Sequence, residues 1–367
     1  MTAATEALSA QGVAIWLDDL SRARLDTGTL AALMAERNVV GVTTNPSIFK
    51  AAITGSDDYA SDIARLAAEG ADADGIVRVL TTDDVRRACE LFLPIWEATG
   101  GQDGRVSIEV DPRLAHDTDA TTAQASELWA EVDRPNLLIK IPGTEAGLPA
   151  IRATIAAGIS VNVTLLFAVE RYRQVMDAYH AGLEDRLAAG LPIDRIHSVA
   201  SFFVSRVDTA VDPVLTELGT DQATALLGTA AIANARLAYG AFLAAADAER
   251  WQALEEAGAN PQRPLWASTG VKNPAYPPTL YVTELVAPGT VNTLPEATLQ
   301  AAASADPVTG DAITGNLDAA RTTIAELAAL GIDLDRITDQ LETDGVRAFE
   351  QAWTALLDAV GAQVAGR

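Results

Sequence analysis

The sequence predicts an α/β protein built as a (β/α)8 TIM-type barrel with additional helices, and three observations carry that expectation. About eight short apolar runs alternate with helical stretches, the pattern of parallel strands joined by crossover helices. The chain has 367 residues, and a barrel of this kind needs only roughly 250, which leaves length for added helices. A doubly wound open sheet, the competing architecture, would carry a Gly-rich phosphate loop after its first strand. Asp18-Asp19-Leu20-Ser21 is not such a loop.

Taken in order, residues 13–19 form an apolar run ending in two carboxylates, Asp18 and Asp19, and a helix follows over 25–38. Residues 39–45 make the second strand. Asn45 and Pro46 then supply an N-cap and a first helical residue. Residues 57–100 read as wholly helical, with a helix start at Thr81-Thr82-Asp83-Asp84 and a stop at Gly100-Gly101. The third strand, 106–112, has Glu109 near its end. A helix over 118–132 leads to the fourth strand, and a helix over 145–157 to the fifth, 160–167. After a helix over 169–189 comes the sixth strand, 196–204, trailed by Ser205 and Arg206. Residues 208–258 are alanine-rich and predict two helices or more. Residues 264–270 form the seventh strand and its turn, 290–295 a weak eighth, and 317–330 and 335–360 are helical. No repeat, low-complexity tract or Gly/Ser/Pro-rich linker divides the chain. One barrel domain over 1–367 is therefore expected, with helical insertions at about 57–100 and 208–258 and helices at the C-terminus.

Composition narrows the partners. Hydrophobic residues are 49% and charged residues 21% of the chain, the balance of a globular protein. The formal charge of −24 argues against nucleic acid or an anionic membrane, both of which need basic surface. A phosphorylated small molecule remains open, because it needs only a few local donors. The single cysteine, Cys89, cannot form an internal disulfide. The first ten residues lack a basic segment followed by an apolar run, and no apolar stretch reaches spanning length. A cytoplasmic protein is the expectation. A helical barrel exterior can stay solvated or pair into a homo-oligomer, and the sequence leaves both open.

The most informative stretch is Leu137-Leu138-Ile139-Lys140-Ile141-Pro142-Gly143-Thr144. Four apolar residues surround one lysine, as in a strand buried on both faces, with a Pro-Gly turn signal after it. Only three of the 26 basic residues are lysine (Lys50, Lys140 and Lys272). A chain that uses arginine for ordinary positive charge but keeps lysine mid-strand points to chemistry a guanidinium cannot perform. An amine can lose its proton and attack a carbonyl. A snorkelling or salt-bridged lysine at a strand end is the ordinary alternative. A free lysine, with pKa ~10.4, is only about one part in 2,500 neutral at pH 7, so burial in an apolar strand suits a nucleophile.

In a barrel the active site lies at the C-terminal ends of the strands. Read in order, those ends carry Asp18, Thr43 to Asn45, Glu109, Lys140, Asn162 with Thr164, Ser201, and Ser268. Each alone could be a helix cap, an ion-pair partner or a turn residue. Together they bring an amine, two carboxylates and several amide and hydroxyl groups to one mouth.

These residues sit in motifs that resemble the transaldolase family. Thr43-Thr44-Asn45-Pro46-Ser47, Glu109-Val110-Asp111-Pro112-Arg113-Leu114, Leu138-Ile139-Lys140-Ile141-Pro142 and Asn162-Val163-Thr164-Leu165-Leu166-Phe167 look like its successive motifs. Trp16-Leu17-Asp18 and Ser201-Phe202-Phe203-Val204-Ser205-Arg206 fit in the expected order. The resemblance runs over about 13–295 and suggests a long bacterial branch of that family. It implies a metal-free class I aldol mechanism with no cofactor. Lys140 would form the Schiff base, Glu109 with a water held by Thr164 would shuttle protons, and Asp18 would take the C4-hydroxyl proton. Asn45, Asn162 and Ser201 would hydrogen-bond the hydroxyls of the dihydroxyacetone unit, Phe203 would be a further substrate-binding residue, and Arg206 and Ser268 would hold the phosphate. The implied substrates are sugar phosphates: sedoheptulose 7-phosphate and glyceraldehyde 3-phosphate giving erythrose 4-phosphate and fructose 6-phosphate, within the non-oxidative pentose phosphate pathway. One family residue is missing. The phosphate-binding arginine two residues beyond the position of Ser268 is Gly270 here, and Lys272 is the expected substitute.

The three histidines, His116, His180 and His197, show no metal-binding spacing, which makes a metal-dependent class II aldolase a poor fit. Two other readings stay open: a fructose 6-phosphate aldolase-type lyase that releases dihydroxyacetone, and a sugar-phosphate-binding barrel without catalysis.

Overall fold

The computed structural model describes residues 2–365. Eight parallel strands close into a barrel in strict chain order: β1 Val13–Leu17, β2 Val39–Val42, β3 Arg105–Glu109, β4 Leu137–Pro142, β5 Val161–Leu166, β6 Ser198–Phe203, β7 Gln262–Ala267 and β8 Thr290–Leu294. Closure runs through β1 and β8, in register from Val13 opposite Thr290 to Leu17 opposite Leu294. The weak eighth run is thus a full barrel strand. Val39 to Val42 is buried except for Val40, and the other seven strands are buried along their whole length.

Period-two alternation assigns each strand residue to a layer. Ile15, Leu17, Val106, Ile108, Ile139, Ile141, Val161 and Val163 face the surrounding helices and join the main core. Ala14, Trp16, Leu138, Val199, Phe203, Leu265, Ala267 and Val291 face inward and pack together. Trp16 is the largest of these, and it sets the identity of its neighbour on β2. A Cβ on Gly41 would stand 2.6 Å from the Trp16 ring, so only glycine lets β2 pass.

The helices lie mainly where expected, with one instructive correction. Residues 57–100 are not one helical block: Ala60–Ala68 ends, and Ala73–Ala98 starts anew. The start signal is Asp72, whose side chain accepts a hydrogen bond from the Gly75 amide. The tetrad Thr81-Thr82-Asp83-Asp84 lies inside this helix. The Thr81 and Thr82 hydroxyls donate back to the Val77 and Arg78 carbonyls at 2.9 and 2.8 Å, so they cap nothing. Residues 208–258 resolve into Ser205–Leu218, Asp221–Ala225, Ala230–Ala246 and Glu249–Glu256.

The last helix, Leu334–Ala365, is 32 residues long and crosses the C-terminal mouth. Its Val346 and Phe349 pack with the inward-facing barrel residues. It packs tightly at Gly345, where a Cβ would stand 3.0 Å from Leu165 and 3.4 Å from an Arg206 nitrogen. Leu165 itself is left-handed, at φ +60°, in a β5 bulge where the register shifts between Val163 and Leu166. A non-glycine residue in that conformation costs roughly 1–2 kcal/mol. The bulge turns Leu165 into the inward-facing cluster under the last helix.

Candidate active site

The cross-strand register brings the central groups together. Glu109 on β3 pairs with Lys140 on β4, and Lys140 pairs with Asn162 on β5. The Lys140 and Glu109 side chains are only 5% and 4% exposed, which removes both from bulk water. The Lys140 ammonium donates to the Thr44 carbonyl at 3.0 Å and lies 3.6 Å from Glu109 Oε2. That second separation is too long for a hydrogen bond. Among the described residues neither buried Glu109 oxygen has a donor, and the buried Thr164 hydroxyl has no partner. Burial pushes the Glu109 carboxyl up to about 7, against the opposing pull of Lys140. A carboxyl in that range can both give and take a proton near neutral pH.

Asp18 follows β1 with the inward phase of Ala14 and Trp16. Its Oδ1 accepts from the Thr43 hydroxyl at 2.7 Å, and Thr43 in turn contacts the Thr293 hydroxyl at 2.6 Å. Burial raises its proton affinity above that of an ordinary carboxylate, with Lys140 and the Thr43 hydrogen bond opposing. Asp19 points the other way and binds Arg24 outside the barrel, at 2.8 Å.

The neutral groups form a chain around the amine. Ser201 donates to the Asn162 carbonyl oxygen at 2.7 Å, and the Asn162 amide donates to Ser107 at 3.0 Å. Asn45 caps the helix Pro46–Thr54: its Oδ1 accepts from the Ser47 and Ile48 amides, each at 3.0 Å. The cap fixes the side chain through its oxygen and leaves the Nδ2 hydrogens unused by it. A cavity of ≈ 220 Å³ adjoins Asn45 and Glu109 and reaches Trp353 on the last helix.

The remaining residues occupy the rim. The Arg206 guanidinium stacks 5.1 Å above the Phe203 ring. It is half-buried, and burial lowers its affinity for the proton. Ser268, left-handed at φ +55°, shares a 2.9 Å hydroxyl contact with Ser205, which joins the ends of β6 and β7 beside Arg206. Lys272 is exposed. Its amine folds back to 3.9 Å from where a Cβ on Gly270 would stand. It also borders an open cavity with Asp208, Asp212 and Tyr276, whose lining does not include Arg206.

The sequence reading missed two groups. Thr293 supports Thr43 from β8, and its unremarkable position in a strand gave no signal. Phe349 comes from the last helix, with its ring 5.8 Å from the Lys140 amine. An amphipathic pattern marks that residue as buried but cannot say over which surface.

A buried amine facing a buried carboxylate, at the C-terminal rim of a closed (β/α)8 barrel, defines a lysine-centred barrel. The sequence model of the family described as Transaldolase/Fructose-6-phosphate aldolase matches residues 15–360, and the chain belongs to that family. It is similar to Transaldolase 1 of Streptomyces avermitilis, 59% identical over 99% of this chain and 96% of that protein. It is similar also to Transaldolase of Mycolicibacterium smegmatis, 60% identical over 98% of this chain and 96% of that one. Transaldolase of a Parafrankia species is 57% identical over 97% of each.

Proposed function

We propose that this chain is a transaldolase that passes a dihydroxyacetone unit between sugar phosphates through a Schiff base on Lys140. The observation that carries the reading is the Lys140–Glu109 arrangement. The amine is in reach of a carboxyl that can trade protons with it, yet no hydrogen bond locks the two together. The shared name of relatives at 57–60% identity supports the transferase activity.

In this account the neutral Lys140 amine attacks the C2 ketone of sedoheptulose 7-phosphate or fructose 6-phosphate. Glu109 protonates the departing C2 oxygen of the carbinolamine, and water leaves as the imine forms. A water hydrogen-bonded to both Glu109 and the Thr164 hydroxyl would satisfy those unpaired atoms and relay the proton. Asp18 takes the C4-hydroxyl proton as the C3–C4 bond breaks. The aldose phosphate departs, and a three-carbon enamine stays on Lys140. The enamine C3 then attacks the aldehyde of glyceraldehyde 3-phosphate or erythrose 4-phosphate, and the same steps run in reverse. Asn45, Asn162 and Ser201 hold the hydroxyls of the three-carbon unit, and Phe203 walls it. Arg206, with Ser268 and Lys272, takes the phosphate.

The test is a donor with and without its acceptor. Fructose 6-phosphate plus erythrose 4-phosphate should give sedoheptulose 7-phosphate and glyceraldehyde 3-phosphate, with little free dihydroxyacetone from the donor alone. Dihydroxyacetone released at the same rate without acceptor would mean a lyase. No turnover in either assay would mean a binding protein. No helix among the described residues is long and apolar enough to cross a membrane. We read the chain as a single cytoplasmic barrel domain without a nucleic-acid or membrane partner.

A further inference from the structure

The last helix, Leu334–Ala365, carries two glycines, although glycine is the poorest helix former after proline. At Gly361 a Cβ would meet open space. Gly345 is different. It is buried, and a Cβ there would stand 3.0 Å from Leu165 Cδ2, 3.4 Å from Arg206 Nη1 and 3.6 Å from Phe167 Cε2. The first two separations lie inside the ~3.5–4.0 Å optimum for non-bonded contact, so a methyl group would have to displace its neighbours. The helix itself has little room to yield. Val346 and Phe349, one and four residues on, pack into the inward-facing cluster of the barrel, and close packing there fixes the helix in height and rotation.

Arg206 is the neighbour with freedom to move. It is the second residue of the helix Ser205–Leu218, where a cation opposes the helix dipole. Among the described residues no carbonyl or carboxylate accepts a hydrogen bond from its guanidinium. Two contacts of shape bound it instead: the Phe203 ring, 5.1 Å away at its centroid, and the bare backbone of the last helix at Gly345. A half-buried, unpaired arginine at a helix N-terminus keeps its donors free for an anion. The missing side chain at Gly345 decides where those donors sit.

We propose that Gly345 is a positioning residue for substrate selection: by leaving room for the Arg206 guanidinium at the barrel mouth, it sets the preference for phosphorylated over unphosphorylated ketoses. This inference rests on the reading of Arg206 as a phosphate ligand given above. Gly345 acts only through Arg206. A side chain there pushes the guanidinium away from the last helix and out of line with a phosphate whose sugar is fixed at Lys140. Hydrogen bonds weaken steeply with misalignment. The amine and both carboxylates keep their places, so the loss falls on binding.

The test is steady-state kinetics of Gly345→Ala and Gly345→Val on fructose 6-phosphate and on unphosphorylated fructose, with Gly361→Ala as the matched control. KM for fructose 6-phosphate should rise severalfold in Gly345→Ala and further in Gly345→Val, while kcat and the fructose reaction stay close to wild type. Inhibition by inorganic phosphate should weaken in step. Gly361→Ala should match the wild type throughout. Alanine is the better helix former, so Gly345→Ala should stay folded, and it carries the test alone if Gly345→Val does not. In an Arg206→Ala background, Gly345→Ala should add nothing further.

Arg206→Ala separates this inference from the reading beneath it. If that variant leaves KM for fructose 6-phosphate unchanged, the phosphate role of Arg206 is wrong and the role of Gly345 falls with it. If Arg206→Ala raises KM but neither Gly345 variant does, the inference alone is overturned. Equal losses on both ketoses, or a Gly345→Ala penalty that persists in the Arg206→Ala background, would overturn it as well.

Discussion

Lys140 and Glu109 are cross-strand partners whose charged atoms lie 3.6 Å apart in a site nearly closed to solvent. The separation matters more than the proximity. A bidentate, hydrogen-bonded pair would hold the amine as ammonium, whereas this one leaves Glu109 without a donor and its proton affinity high.

A pH dependence arises from that carboxyl. Its value rises from 4.5 unfolded to about 7 in the folded chain, so between these values the folded state binds more protons. Stability must therefore fall as pH rises through about 4.5 to 7. Asp208, raised to about 6 by burial, acts in the same direction. Unfolding of the wild type and Glu109→Gln, compared at pH 5 and pH 8, should show a flatter pH slope in the variant, because Asp208 is common to both. Turnover of the variant should drop by roughly 10²–10⁴-fold, the usual contribution of a positioned acid–base group. An unchanged slope would place the Glu109 titration outside this window.

The two adjacent aspartates should behave oppositely. Asp18 faces inward and is fixed by Thr43, and Asp19 binds Arg24 outside. Asp18→Asn should still form an imine but stall before carbon–carbon cleavage, so the reductively trapped fraction rises while turnover falls. Asp19→Asn should cost no more than about 1 kcal/mol of stability, as for a partly exposed ion pair, and leave turnover alone. The reverse pattern would mean the strand faces the other way.

Phosphate recognition predicts a KM effect confined to phosphorylated substrate. A charge-assisted contact is worth roughly 1.5–3 kcal/mol. Arg206→Ala should therefore raise KM for fructose 6-phosphate tenfold or more, and Lys272→Ala should act in the same direction. Reactivity toward unphosphorylated fructose should change little. Equal losses on both substrates would indicate a structural role, and no loss for Lys272→Ala would leave that lysine a surface residue.

Phe349 should protect the enamine. It reaches over the Lys140 amine from the last helix, and Phe349→Ala would admit water. Protonation of the enamine and then imine hydrolysis would release dihydroxyacetone, and the donor-alone rate should rise severalfold. The truncation should also destabilise the protein by roughly 3–5 kcal/mol. Unchanged release would confine Phe349 to packing.

Much of this architecture was legible because barrel strands announce themselves twice, as apolar runs and through the polar residues and turns at their C-terminal ends. Lys140 stood out because a lone lysine in a buried strand is chemically odd, and side-chain alternation lets only one of Asp18 and Asp19 face the mouth, the family resemblance selecting Asp18. The rest was hidden by distance. Thr81 and Thr82 imitate a helix start, yet their hydroxyls bond back along a helix already begun at Asp72. Phe349 belongs to a helix whose landing place depends on the bulge at Leu165 and on Gly345.

The central claim is tested most directly by borohydride reduction in the presence of fructose 6-phosphate, with the adduct then located by peptide mass mapping. A single reduced three-carbon or ketose-phosphate adduct is expected on Lys140, undiminished by EDTA and absent in Lys140→Arg, which keeps the charge but loses the amine. An adduct on Lys50 or Lys272, or full turnover by Lys140→Arg, would contradict the account.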